Sequence, residues 1–193
     1  MTRIFPTLAS LSLMLMAASL VIGLIIGDLY ADPPAEATLH WRGRHMMTGV
    51  AAALAVVFVE CIVVTYFIGT SRWCKEVTET YRLPVDDLRE STRLKRQTFP
   101  WCVLGIITVV AVGALGAASD PGTGRPDTAS WAGVHQVAAL AGLFIVAWTY
   151  YQAWFKIAAN QEVINRIVSQ VQRIRLERGL DQPLPDIASA RGA

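Results

Sequence analysis

Two of the three histidines stand in the same short pattern, Trp-x-Gly-x-His. One copy is Trp41-Arg42-Gly43-Arg44-His45 and the other is Trp131-Ala132-Gly133-Val134-His135. Each copy opens a long apolar run. A neutral imidazole is a common ligand for iron, copper or zinc. Two imidazoles at one depth could face each other across a metal, and a haem iron accepts one axial ligand on each face. His40 has no counterpart in the second copy and reads as a loop residue.

Glu60 is the other residue with chemical promise. It lies 15 positions after His45, ~22 Å further along a helix and within about 60° of the same face. A carboxyl within an apolar span is costly and is a functional candidate by default. A shift of 90 residues carries Glu60 onto Tyr150. A carboxyl and a phenol could therefore meet across the bundle, as a proton relay or a quinone head-group site. Thr65, Tyr66 and Thr149 would add donors nearby. A hydrogen bond from Tyr150 that merely fixes helix packing is the plain alternative.

The elements that must carry these groups are membrane helices. Of the 193 residues, 53% are hydrophobic and 17% are charged, too apolar for an ordinary soluble domain. Four apolar stretches, 8–29, 45–68, 99–119 and 131–155, reach the ~20 residues that a hydrocarbon layer of ~30 Å requires. Backbone groups in lipid must be satisfied within the segment, which selects helices. The first stretch is too long for a signal peptide's apolar core of about 7–15 residues. Arg3, seven basic residues from Arg72 to Arg96 and six from Lys156 onward fall on one side; Arg42, Arg44 and Arg125 fall on the other. The positive-inside rule then puts both termini in the cytoplasm of a bacterial-type inner membrane. A net charge of +2 offers no nucleic-acid surface. Cys61, Cys74 and Cys102 are scattered, with no C-x-x-C pair and no haem-attachment motif.

The 90-residue shift also aligns Trp41 with Trp131, Gly43 with Gly133, Gly23 with Gly113 and Gly27 with Ala117, without a gap. This predicts an all-α fold: an up-down-up-down four-helix transmembrane bundle made of two repeated hairpins. Residues 30–40 and 120–130 are rich in Pro, Gly and Asp and form its outer loops. Residues 70–98 form a cytoplasmic loop, where Pro84 ends an extension of the second helix and a short charged helix follows. Residues 157–178 carry an apolar stripe of Ile164, Ile167, Val168, Val171 and Ile174. The stripe packs on Trp73, Val77 and Tyr81, or else binds a partner. Residues 179–193 read as a disordered tail.

In such a bundle the second and fourth helices are diagonal, and a bis-His b-type haem would fit between His45 and His135. Gly23, Gly27, Gly113, Ala114, Gly116 and Ala117 on the other diagonal would give the porphyrin room. Gly49, Ala52, Ala53, Ala138, Ala139 and Gly142 would do the same beside the histidines. Arg42 and Arg44, with Arg125 further off, would meet the propionates. Each feature has an ordinary use as well. Small residues let membrane helices pack closely, and Trp marks the interface. Two histidines alone leave zinc or copper incompletely coordinated. A chlorin pigment on each histidine is a further alternative.

The layout resembles the four-helix membrane anchors of cytochrome-b-type respiratory proteins, such as those of the succinate dehydrogenase class. The likeness is architectural, four spans with two haem histidines, and no motif aligns. It implies a small electron-transfer subunit or partner of a larger membrane complex, in contact with lipid, neighbouring membrane subunits and a quinone or outer-face redox protein. A non-catalytic accessory or scaffold subunit without cofactor is the competing expectation, and a transporter ranks third.

Overall fold

A computed structural model describes residues 1–180. Four helices account for most of them: α1 (Ile4–Ile25), α2 (Glu36–Tyr81), α3 (Asp86–Ser119) and α4 (Thr128–Glu177). No strand occurs among the described residues. Each helix contains a window long and apolar enough to cross a membrane, which points to a multi-pass membrane protein. The expected tail at 179–193 lies almost wholly outside the described residues.

The helices are longer than their apolar windows. At 1.5 Å per residue α1 measures ~33 Å and just crosses a hydrocarbon layer, whereas α2 and α4 measure ~70–75 Å. Cross-contacts pair low numbers with high ones. Ser12 meets Tyr150, Lys156 meets Gln97, and Arg166 meets Asp87, so neighbouring helices run antiparallel. α2 and α4 also meet across one diagonal, leaving α1 and α3 on the flanks. The result is a four-helix bundle at the end bearing the histidines. Past the start of α1, at the charged end, it becomes a three-helix bundle of α2, α3 and α4.

The charged segment at 70–98 is helical on both sides of a break at Pro84. α2 runs unbroken to Tyr81 and stops where Arg82 turns left-handed (φ 54) and the Leu83 N–H reaches back to the Thr78 carbonyl. Pro84 follows and cannot continue the helix. α3 then starts at Asp86, with Asp86 and Asp87 in its first turn as the helix dipole favours. The expected short charged helix is simply the first part of α3, which passes through Pro100 into the apolar run. At the other end Gly27 (φ +90) lies just past the close of α1.

Burial is concentrated below the histidines. Val56, Val63, Phe67, Val146, Ala153, Ile157 and Val163 are fully enclosed. Ile164, Ile167, Val171 and Ile174 pack into the same core with Val77, Tyr81 and Leu88, so the apolar stripe of the tail is an internal seam. Val168 and Trp73, expected in that seam, are instead exposed. Arg166 fastens the seam's edge, with Nε 2.8 Å from Asp87 Oδ1 and Nη2 2.6 Å from Glu90 Oε2. One polar layer crosses the core: Asn160 Oδ1 accepts from Ser91 Oγ (2.9 Å), and its Nδ2 donates to Tyr66 OH (3.2 Å) and Thr70 Oγ1 (3.1 Å).

That layer fixes the register of three helices through one side chain. Asn160→Ala removes three hydrogen bonds, one buried and two part-buried, and leaves the buried Ser91 hydroxyl without its acceptor, a loss of roughly 1–3 kcal/mol. Thermal unfolding of the detergent-solubilised chain measures it, and a midpoint several degrees below the parent is the expected result.

Candidate functional site

The two histidines approach each other from α2 and α4. Their ring centroids are 6.0 Å apart and their planes stand at 77°. His45 Nδ1 lies 3.0 Å from the Ser19 carbonyl oxygen of α1. A carbonyl only accepts, so Nδ1 carries the proton and Nε2 keeps its lone pair. Ser19 stands four residues before Gly23, one helical turn away, and the imidazole lies against that glycine. A Cβ on Gly23 would sit 3.0 Å from His45 Cε1. The glycine lets the ring lie against the helix backbone; a Cβ there would push it back by a few tenths of an ångström.

α3 repeats the arrangement. A Cβ on Gly116 would sit 3.0 Å from His135 Cε1, and Val112, four residues earlier, takes the place of Ser19. His135 Nδ1 is buried and makes no hydrogen bond. The counterpart of Gly23 is thus Gly116, 93 positions on, although His135 follows His45 by 90. Burial obeys the same offsets. Phe5, Ala9, Ser12 and Ile26 correspond to Thr98, Cys102, Gly105 and Ser119, and Ala52, Val56 and Glu60 to Gly142, Val146 and Tyr150. The gap-free alignment of Gly23 with Gly113 is corrected accordingly, since the loop after α1 is longer than the loop after α3 and shifts the outer pair.

The other glycines expected around a cofactor have separate uses. A Cβ on Gly49 would lie 3.3 Å from Ser19 Oγ, and one on Gly142 2.9 Å from Val112 Cγ2, so these two bring helices together. Gly113, Gly43 and Gly133 have nothing within 4 Å, and Gly27 lies beside Thr38 beyond the helix end. Between the histidines and the enclosed pair Val56 and Val146, only Ala52 and Gly142 are buried on α2 and α4.

Both arginines expected at the propionates already have partners. Arg42 holds Asp120 with two bonds, Nε to Oδ1 and Nη2 to Oδ2, each 2.9 Å. Arg44 lies 4.7 Å over the Trp41 ring. Asp120 escaped notice in the sequence, where its turn motif Asp-Pro-Gly was the only signal; its Oδ1 also accepts the Gly122 N–H. Burial alone would raise the Asp120 pKa. The hydrogen bonds from Arg42 and Gly122 and the Arg42 charge outweigh it and hold the carboxyl below its ordinary range. Tyr30 OH donates to the Ser119 carbonyl at 2.7 Å and completes a clamp between the two loops.

Deeper in the bundle, Glu60 is fully buried. Its Oε1 accepts from Thr149 Oγ1 at 3.0 Å, and its Oε2 has no partner. Gly105 makes the space, since a Cβ there would lie 2.5 Å from Oε1. The expected meeting of Glu60 with Tyr150 does not occur, because Tyr150 OH pairs with Ser12 Oγ at 2.9 Å. Thr149 supplies the donor, Tyr66 belongs to the Asn160 layer, and Thr65 is exposed. Glu60 with Gly105 and Tyr150 with Ser12 occupy corresponding places in the two halves, so one half carries a carboxyl where the other carries a phenol. Among the described residues no group of three or more His, Cys, Asp or Glu could hold a metal.

Two tests follow from this geometry. Gly23→Val forces the His45 ring off the Ser19 carbonyl at a cost of about 1–3 kcal/mol; Gly43→Ala, in open space, leaves stability unchanged or raises it by up to ~1 kcal/mol. Histidine 15N NMR and thermal unfolding read both. The Asp120 pair gives a pH signature. A depressed carboxyl stabilises the fold fully above its ordinary value of 3.8 and loses that contribution as pH falls below it. Unfolding measured from pH 6 down to ~3 should show this loss in the parent and not in Arg42→Gln.

Comparison with protein-family models, curated proteins and solved structures finds no match to this chain.

Proposed function

We propose that the chain is a small membrane b-type cytochrome, an electron-transfer subunit or partner of a larger membrane redox complex. One haem would lie between His45 and His135, near the outer face of a bacterial-type inner membrane. The observation that carries this is the histidine pair. The rings stand 6.0 Å apart, so His45 and His135 would be the residues that hold the iron. A ligating histidine usually donates its other ring N–H to a backbone carbonyl or carboxylate, and His45 does so to Ser19. A macrocycle would extend past Ala52 and Gly142, the small buried residues below the pair. The matched halves are in keeping with a duplicated hairpin, and the basic residues at the charged end favour cytoplasmic termini.

When bound, the haem would supply one-electron transfer. The chain's own residues do the rest. Ser19 holds the His45 tautomer with Nε2 free. Gly23 and Gly116 let both rings lie against neighbouring helices. Arg44, without a carboxylate partner, is the cation left for a propionate, because Asp120 already neutralises Arg42. Glu60, with one oxygen unpartnered, would exchange a proton or meet a quinone head group. Its separation of ~22 Å from His45 sets it apart from the iron site.

A second reading rests on the 77° angle of the rings. Edge-to-face imidazoles can pack as an aromatic pair without anything between them. The chain would then be a non-catalytic accessory subunit whose histidines join helices. An optical spectrum separates the two. The reduced protein, expressed with ample haem, should show a b-type α-band that His45→Ala, His135→Ala abolishes. A parent without the band, or a double variant that retains it, overturns the cytochrome reading.

A further inference from the structure

The charged end carries a basic face that the fold does not neutralise. Leu88, Arg89, Thr92, Arg93, Arg96 and Gln97 line an open groove of about 670 Å³ along the outer side of α3. No acid lines it. The nearby acids of α3 are spent elsewhere, with Asp86 against Arg89 and both Asp87 and Glu90 turned to Arg166 of α4. Arg93 and Arg96 make no ion pair among the described residues, whereas Arg72 and Lys75 of α2 have Glu76 and Glu79. Gln97 adds a directional donor. Its Oε1 accepts from Lys156 Nζ at 2.9 Å, which leaves the amide N–H groups for another acceptor. The Thr92 hydroxyl is a second neutral donor.

The height of this groove says what it meets. Trp101 and Trp154 stand at the same end of the apolar windows, and Trp154 stacks on Phe5 at the start of α1. Aromatic residues of this kind sit at the membrane–water interface. Lys156 and Gln97 therefore mark the boundary. Arg96 lies at that level and Arg93 one turn, ~4.5 Å, below it. The polar layer on each side of the hydrocarbon is about 5–8 Å deep. Both guanidiniums fall within it, and a guanidinium matches a phosphate with paired N–H donors.

We propose that Arg93 and Arg96, with Gln97 and Thr92, form a binding site for the phosphate head group of an anionic phospholipid. The site is independent of the histidine pair. Its occupant holds α3 against the interface just before Pro100, where the helix loses a backbone donor.

Native mass spectrometry of the full-length chain in detergent tests the site, with phosphatidylglycerol and phosphatidylcholine as probes. The parent should retain phosphatidylglycerol in preference to phosphatidylcholine. Arg93→Gln, Arg96→Gln should weaken that preference by about fivefold for each arginine removed. Arg173→Gln, Arg178→Gln, with the same change in charge at the far end, should leave it intact. Millimolar inorganic phosphate should not displace the lipid. Equal retention of the two lipids overturns the proposal, as does equal loss in both double variants. Displacement by free phosphate would make this a soluble-anion site and overturn the assignment to lipid. The outcome does not depend on whether haem is bound, so a failure here and a failure of the cytochrome reading are read separately.

Discussion

An imidazole inside a membrane bundle must place its N–H on an acceptor, and His45 places it on the backbone of the neighbouring helix. The Ser19 carbonyl is already engaged in its own helix, so the ring has to come in beside it at close range. Gly23 eases that approach, its missing Cβ replaced by the imidazole edge. The close approach recurs at His135, with Gly116 beneath the ring, although its Nδ1 makes no hydrogen bond. Once both rings lie against the flanking helices they face each other across the short diagonal. The pair is thus a consequence of how α1 packs on α2 and α3 on α4.

The two ends of the bundle divide the work. Below Val56 and Val146 the interior is closed by Val63, Phe67, Ala153, Ile157 and Val163 around the buried Glu60–Thr149 pair, and the Asn160 layer locks its register. This half supplies the burial that holds four long helices parallel to one axis. The half with the histidines is lined by Gly and Ala and held instead from its rim. Arg42 with Asp120, and Tyr30 with Ser119, tie the loop after α1 to the loop after α3.

Much of this was legible in the residues. Hydropathy located the four spans, because the membrane requirement is coarse and twenty apolar residues satisfy it. The repeated Trp-x-Gly-x-His pattern singled out two histidines whose rings stand 6.0 Å apart. The extensions of α2 and α4 past their apolar runs were legible too, from the break at Pro84 and the apolar stripe at 164–174, since beyond the lipid boundary a helix needs only favourable composition and partners. The partner of Gly23 was misplaced because a gap-free shift cannot register a difference in loop length. Asp120 and Gly105 were missed for a common reason: each matters through a long-range contact, with Arg42 and Glu60, that no local pattern announces.

The central claim is that a single iron is held by His45 and His135 together. Pulsed electron paramagnetic resonance on the oxidised, 15N-histidine-labelled protein measures this directly. The account predicts one low-spin ferric centre per chain coupled to two imidazole nitrogens, with one coupling lost in His135→Ala. A sample with no ferric signal, or an iron coupled to fewer than two histidines in the parent, would contradict it.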